Sequence, residues 1–292
     1  MGQADIAVVI STFERPWHLR RCLASLESQE GVAGRFEVVV TDDGSCDETL
    51  RMVTDLARRV DFPLTFTTHS HAGFRLARCR NEGVAASTAP YILFTDGDCV
   101  LPRNHLRIHL DERRRGWVAG GDCLRLDEST SARITPDVIK DGDIAALVPR
   151  SESRRMRIKA LRAKAYEVLR VSMRPRLSGN NIAIWRADYE RINGFDEQFV
   201  GWGLEDRDLQ QRLERLGVRV RSILLRTAAV HLWHAPAPSF TRNGVGTPNL
   251  DYFRSLGRRP TFCVDGLVKP DEPPAKIVAI PVAPAASRRV AA

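Results

Sequence analysis

Apolar positions in the first 126 residues alternate between two periods. Residues 6–10, 36–40 and 91–95 are short, apolar, β-branched or aromatic runs. Runs of this length, interrupted only by Glu37, predict strands buried on both faces. Between them the spacing changes: Leu19, Cys22, Leu23 and Leu26 stand at i, i+3, i+4 and i+7, one face of a helix. Further helices are expected over about 47–60 and 76–86, with strands near 63–67 and within 116–126. Strands alternating with helices imply an α/β fold with a mostly parallel central sheet and right-handed crossovers.

The second half is less regular. Residues 127–149 are polar and acidic and read as an insertion or mobile loop. Residues 151–172 read as a basic helix in which Met156, Leu161, Ala165, Leu169 and Ser172 are only loosely periodic. A short strand is expected at 182–185, and a helix over 205–216 with Leu209, Leu213 and Leu216 facing inward. A strand at 228–232 would deliver His231 and His234. From residue 269 proline and alanine dominate, a composition that predicts a disordered tail.

Composition narrows the class. The 292 residues, 43% apolar and 27% charged, suit a soluble globular protein with one large α/β domain or two small ones. No apolar run is long enough to span a bilayer, and Met1 to Asp5 lack the basic start and apolar core of a signal peptide. The six cysteines are scattered with no CxxC pair, which favours free thiols in a reducing cytoplasm. The net charge of +8 is concentrated in residues 150–176, where ten Lys/Arg face Glu152 and Glu167. That concentration argues against nucleic acid and for another anionic partner: a nucleotide diphosphate, an anionic glycan or a lipid headgroup. Arg154, Arg155, Arg157, Lys159, Arg162 and Lys164 spread around a helical wheel, so the segment is expected on the surface. It would hold an anionic acceptor or contact the inner membrane, unless it is simply a solvated face.

Candidate chemistry sits at the ends of the expected strands. Asp96-Gly97-Asp98 follows the 91–95 run, at the strand end where open α/β sheets bind ligands. Two carboxylates one residue apart can hold a hard divalent cation, which in turn can bridge a diphosphate. His231 and His234 could complete its shell, and mixed carboxylate and imidazole ligation suits Mn²⁺, with Mg²⁺ also fitting. Ser11-Thr12-Phe13-Glu14-Arg15 and Asp42-Asp43-Gly44-Ser45 follow the first two strands. They line the same crevice, where an acid can accept from a nucleobase imide; the alternative is a turn and helix cap. Arg75, Arg78 and Arg80 precede the Asp96 strand, and one of them could pair with a diphosphate. Gly201-Trp202-Gly203 places an aromatic platform for a sugar in a flexible loop, ahead of Glu205, Asp206 and Asp208. Glu205 and Asp206 open a helix, where they are either caps or the base that activates a sugar hydroxyl.

These residues resemble glycosyltransferase family 2, and the second half resembles the galactosyltransferase C-terminal domain of animal β-1,4-galactosyltransferases and bacterial chondroitin polymerases. The resemblance rests on residues 6–45, on residues 71–81 (His-Ala-Gly-Phe-Arg-Leu-Ala-Arg-Cys-Arg-Asn), on Asp96-Gly97-Asp98, and above all on residues 192–199 leading into 201–208. It covers roughly residues 5–240. It implies a GT-A fold, inversion at the anomeric carbon, Asp98 as the main metal ligand, Asp43 at the uracil position with Ser11 beside it, Asp206 as base and Trp202 in a closing loop. Where the galactosyltransferases have a methionine and a histidine three apart, this chain has His231 and His234, which leaves open which of them binds metal.

The expected site is therefore Asp206 and Glu205 for catalysis and Asp98, His231 and His234 for metal. Ser11, Thr12, Glu14, Arg15, Asp43, Arg75, Arg80, Asp96 and Trp202 would hold the donor. The resemblance divides the chain into a nucleotide-sugar-binding half (1–126), an insertion with the basic helix (127–175), an acceptor half (176–245) and an extension (246–292). The expected partners are a nucleotide-sugar donor, a glycan or lipid-linked glycan acceptor, and an anionic inner-membrane surface, with a cytoplasmic or membrane-peripheral location. A nucleotidyltransferase would need a glycine-rich basic loop near the N-terminus, and 11–15 has no glycine. A non-catalytic glycan- or lipid-binding module would have no need for the full set of carboxylates.

Overall fold

The computed structural model describes residues 3–142, 144–237, 239–241, 247–257, 260–269 and 276–278. The first half alternates as its apolar pattern requires: β1 (Ile6–Thr12), α1 (Pro16–Glu27), β2 (Phe36–Asp42), α2 (Asp47–Ala57), β3 (Leu64–Thr68), α3 (Leu76–Ala85) and β4 (Tyr91–Asp96). Every residue of β1 is buried because both faces of that strand are covered. Ile6, Val8 and Ile10 join Leu19, Cys22, Leu23 and Leu26 of α1 in one cluster. Val9 points to the opposite side, with Ile92, Phe94, Leu209 and Leu213. A fully buried leucine contributes about 1.5–3 kcal/mol, so these two layers supply much of the stability.

Next come β5 (Cys99–Val100), α4 (His105–Glu112), β6 (Trp117–Gly120) and β7 (Cys123–Arg125). The single strand expected within 116–126 is thus two strands in different sheets. The break falls at Gly121, packed so tightly against Asn181 that a Cβ there would lie 2.3 Å from the Asn181 Nδ2.

Residues 127–149 are not an irregular mobile loop. They form α5 (Glu128–Arg133), α6 (Pro136–Asp141) and a 3-10 turn (Ile144–Leu147). Asp127 and Thr135 cap the two helices by accepting from the backbone N–H of Thr130 and Val138. Ile134, Ile139, Ile144 and Val148 bury themselves against Ala24, Val100 and Val230. The apolar residues are too widely spaced to show a period, yet each anchors one short turn.

The remaining elements are α7 (Arg150–Val168), β8 (Asn181–Trp185), α8 (Arg186–Glu190), α9 (Glu205–Arg215), β9 (Arg219–Ser222), β10 (Ala229–His231), α10 (Pro248–Ser255) and β11 (Lys276–Val278). One eight-stranded sheet runs β11-β3-β2-β1-β4-β8-β6-β9, and a three-stranded sheet runs β5-β10-β7. Strands β1 to β4 pair in parallel, while β8 is antiparallel to both β4 and β6. The expected nucleotide and acceptor halves therefore share one sheet, since β6 lies between β8 and β9. Most of the expected tail from 269 lies outside the described residues; within it, 276–278 pair antiparallel with β3. Among the described residues no helix is long and apolar enough to cross a membrane, and all six cysteines are free thiols.

Gly83 lets α3 lie directly on the sheet: a Cβ there would stand 2.3 Å from Val9 Cγ1 and 2.8 Å from Thr41 Cγ2. Gly83→Ala should destabilise the protein by about 1–3 kcal/mol through overpacking. Thermal unfolding should show a drop of several degrees; an unchanged melting temperature would mean the helix can shift outward freely.

Candidate active site

Register brings the expected chemistry to one edge. Thr12 stands beside Asp42, Asp42 beside Thr68, and Ser11 beside Asp96. The C-terminal ends of β1 to β4 thus open onto a single crevice, as a parallel sheet requires. The Gly97 N–H continues the pairing by donating to the Ser11 carbonyl at 2.8 Å, and a Cβ at Gly97 would press on Thr12.

At the centre lies Arg80, 2% exposed. Its Nη1 donates to Asp206 Oδ1 at 3.1 Å and Glu205 Oε1 at 3.3 Å, and its Nη2 reaches Asp96 Oδ1 at 3.5 Å. A buried guanidinium needs anionic partners, and within the protein three carboxylates supply them. One cation cannot balance three acids out of water. Burial, reinforced by Asp206, pushes Glu205 up to about 8 against the pull of Arg80. Burial also pushes Asp96 up to about 6, although its side chain keeps 27% exposure and Arg80 opposes the rise. Asp206 is held on both oxygens, with Oδ2 accepting from the Gly179 N–H at 2.8 Å. Its side chain is 26% exposed against 9% for Glu205, so Asp206 is the more open of the two to solvent. Gly179 was not foreseen; a Cβ there would lie 2.1 Å from Arg80 Nη2 and 2.5 Å from Asp206 Oδ1.

Asp98 turns to a different set. Its Oδ2 is 3.0 Å from His234 Nε2 and 3.2 Å from Arg15 Nη1, and its Oδ1 is 3.5 Å from His231 Nε2. Burial alone would raise Asp98, but hydrogen bonding to His234 and the charges of His231, His234 and Arg15 hold it well below the usual carboxylate range. Asp98, His231 and His234 offer one oxygen and two nitrogens within 4.8 Å of one another. The donor set fits a divalent cation such as Mn²⁺. His234 supports this reading: its Nδ1 faces the Ala235 carbonyl at 2.7 Å and donates to it, which directs Nε2 toward Asp98.

The two nucleotide-side loops are locked to each other. Glu14, at φ 46°, accepts from the Cys46 N–H at 2.8 Å, and its own N–H donates to Ser45 Oγ at 2.7 Å. Ser11 Oγ accepts from Thr41 Oγ1, while the buried Thr12 Oγ1 has no partner among the described residues. Asp42, not Asp43, caps the turn, accepting from Gly44 N, Ser45 N and Thr68 Oγ1. Asp43 accepts from the Arg75 N–H at 3.0 Å and from His69 Nε2 at 2.9 Å, so Arg75 acts here through its backbone. His69 Nδ1 binds Glu82 at 2.8 Å. Burial lowers the affinity of His69 for its proton, yet Asp43 and Glu82 together lift it to about 9. Asp43, His69 and Cys79 are also close enough to share a cation. Burial pushes the Cys79 thiol well up, away from the thiolate that binds a metal. Sequence reasoning missed His69, although its place just beyond β3, on the edge shared with Ser11 and Asp42, was a usable signal.

Trp202 is half-exposed between Gly201 and Gly203, and Gly201, Gly203 and Leu204 all have positive φ. Its ring meets Phe240 edge-on at 4.7 Å, and its N–H donates to Ser239. Asp208 is not part of the crevice: it pairs with Arg212, which is anchored to the Ile192 and Gly194 carbonyls.

The architecture is a GT-A fold. Residues 7–135 match the model of glycosyl transferase family 2, and residues 159–234 match a model described as the N-terminal domain of galactosyltransferase. Two successive stretches of the chain are thus similar to a glycosyltransferase family 2 region and to a galactosyltransferase-type segment. It is 29% identical over 242 residues to validoxylamine A glucosyltransferase of Streptomyces hygroscopicus subsp. jinggangensis, covering 80% of this chain and 55% of that one. It is 26% identical over 235 residues to chondroitin synthase of Escherichia coli, covering 75% and 33%. The chain thus spans about half the length of the first relative and a third of the second. Mannosyltransferase PcManGT from Pyrobaculum calidifontis, solved with GDP-Man and Mn²⁺, superposes with TM-score 0.56 at 17% identity, covering 82% of this chain and 59% of that one. Staphylococcus aureus TarS 1-349 with UDP-GlcNAc gives 0.55 at 17% identity, covering 81% and 62%. At these identities the structural likeness is one of fold.

The charge imbalance has a measurable consequence. Glu205 is raised from 4.5 to about 8 on folding. Across that window the folded protein keeps a proton that the unfolded chain has lost, so stability falls as pH rises. In EDTA, the melting temperature of Glu205→Gln should decline less steeply between pH 5 and 8 than that of the wild type, in the roughly neutral range these shifts define. Equal slopes would show that Glu205 carries no extra proton.

Proposed function

We propose that the protein is an inverting, metal-dependent glycosyltransferase. It moves a hexose or N-acetylhexosamine (Gal, GalNAc, GlcNAc or similar) from a nucleoside diphosphate sugar, UDP-linked, to a hydroxyl of a growing polysaccharide, lipopolysaccharide or other glycan. One observation carries the reading: Arg80 joins Asp206 to Asp96, so a reachable, oriented carboxylate stands beside the aspartate that precedes the Asp98–His231–His234 triad. The family match, the relatives that make glycans and the fold shared with donor-bound transferases support it.

Asp98, His231 and His234 would hold the cation, which when bound offsets the charge on the leaving diphosphate. Asp43, buried and steadied by His69 and the Arg75 N–H, would accept from a nucleobase imide. Ser11, Thr12, Glu14 and Arg15 form the wall beside it, and Trp202 offers a ring for a sugar from a glycine-flanked loop. Asp206 takes the proton of the acceptor hydroxyl as its oxygen bonds to the anomeric carbon. The bond from that carbon to the diphosphate breaks on the opposite face, and the nucleoside diphosphate leaves with the electron pair. Displacement in one step with one base gives inversion, with no glycosyl-enzyme. Arg80 and Gly179 fix the direction of Asp206 and so act as positioning groups.

Mn²⁺ should raise the melting temperature of the wild type and leave that of Asp98→Ala unmoved, while EDTA and Asp98→Ala each abolish turnover of a UDP-sugar panel. Losing a carboxylate ligand beside a diphosphate removes several kcal/mol of transition-state stabilisation. Full turnover in excess EDTA would refute metal dependence.

Asp206→Asn keeps the shape of the carboxylate and removes its basicity. Transfer should fall by about 10²–10⁴-fold, while donor binding, read by calorimetry, stays within a few-fold of wild type. A kcat close to wild type would move the base to Glu205 or another group.

A further inference from the structure

The helix α7 carries two apolar faces, and only one is used by the fold. Met156, Ala160 and Ala163 point inward and are buried. Ile158, Leu161, Ala165 and Val168 fall at i, i+3, i+7 and i+10, a stripe on the opposite side. Leu161 is 57% exposed and Val168 69%, and the stripe runs on into Leu169 at 71%. Met156 and the loosely periodic Leu161, Ala165 and Leu169 thus belong to two different faces, which is why no single period joins them.

Charge on the two sides is sorted as well. The acids of the segment, Glu152 and Glu167, face the body, accepting from the backbone N–H of Arg125 and Ser222. Arg155, Lys159 and Lys164 are each tied to a carboxylate: Glu152, Asp122 and Glu167. Arg154, Arg157 and Arg162 are exposed around the stripe and have no ion-pair partner among the described residues. Arg150 and Arg170 extend the same unpaired charge to the two ends. At about 1.5 Å per residue, the stripe from 158 to 168 is about 15 Å long, all of it apolar at the centre and cationic at the rim.

We infer that the outer face of α7, with Leu169, is a docking surface for an anionic lipid bilayer. Leu161, Val168 and Leu169 enter the headgroup boundary while Arg154, Arg157 and Arg162 meet lipid phosphates. Charge complementarity selects this occupant. A second copy would place the same unpaired arginines against each other, and a free anionic glycan would leave the leucines and valine in water. An apolar stripe rimmed by cations is the pattern that lies in a membrane interface. The inference does not depend on the transfer chemistry.

The test is sedimentation of the full chain with vesicles of phosphatidylcholine alone or with phosphatidylglycerol, at low and high salt. Wild type should partition to the anionic vesicles at low salt and be released by high salt. Each of Arg154→Gln, Arg157→Gln and Arg162→Gln should lower the partition coefficient about fivefold, the equivalent of about 1 kcal/mol per cation. Leu161→Gln with Val168→Gln should weaken binding to anionic vesicles at every salt concentration, with the circular dichroism spectrum and melting temperature kept. Equal partitioning to both lipids, no sedimentation at low salt, or insensitivity to both sets of substitutions would overturn the inference. So would a wild-type dimer in light scattering that Leu161→Gln with Val168→Gln converts to a monomer without any change in vesicle binding.

Discussion

The guanidinium of Arg80 draws acids from both halves of the molecule into one cluster. It comes from α3, packed on β1 and β2, yet its partners are Asp96 at the end of β4 and Glu205 and Asp206 in the first turn of α9. Its carbon sits 4.8 Å from the Phe195 ring, which closes the site from below. A cation this deep costs several kcal/mol unless it is paired, so the pairing has to form when the chain folds. The consequence is positional: the first turn of α9 cannot drift from the strand that carries the acidic motif. Gly179 is the steric condition for this, because any side chain there would occupy the space of the ion pair itself.

The same pairing splits the acidic motif into two jobs. Asp96 belongs to the Arg80 cluster, where acids outnumber cations and protons are held tightly. Asp98 belongs to a cluster of His231, His234 and Arg15, where cations and imidazoles outnumber the acid and the carboxylate is kept charged. Two carboxylates one residue apart thus live in opposite electrostatic settings. One setting keeps a carboxylate charged beside two imidazoles, and the other holds a carboxylate in a fixed direction through Arg80. On the nucleotide side, His69 does for Asp43 what Arg80 does for Asp206, holding a carboxylate oxygen in place from behind.

Much of this was legible. The runs at 6–10, 36–40 and 91–95 gave strands within two residues, since a strand covered on both faces is apolar over most of its length, Glu37 being the one charged residue in these runs. Leu19, Cys22, Leu23 and Leu26 all proved buried, as did Leu209 and Leu213. Asp96, Asp98, Glu205, Asp206, His231 and His234 were named from motif spacing and do converge on one crevice. The weak points were local. Residues 127–149 looked like a loop because one isoleucine or valine per turn leaves no period, and the strand within 116–126 hid its break at Gly121.

The amino-acid sequence by itself determined the parallel α/β order, the acids at the strand ends and the resemblance to family 2, because these rest on local periodicity and on short-range spacing. Only the tertiary structure decided which charges meet. Nothing within 75–81 tells Arg80 from Arg78: one turns into a cluster of carboxylates more than a hundred residues away in the chain, the other pairs with Glu82 four residues on. Nor does the composition of α7 say which of its two apolar faces is buried. Pairings between distant segments are set by how the layers pack, and the free energy of burying or exposing a charge is fixed only once that packing exists.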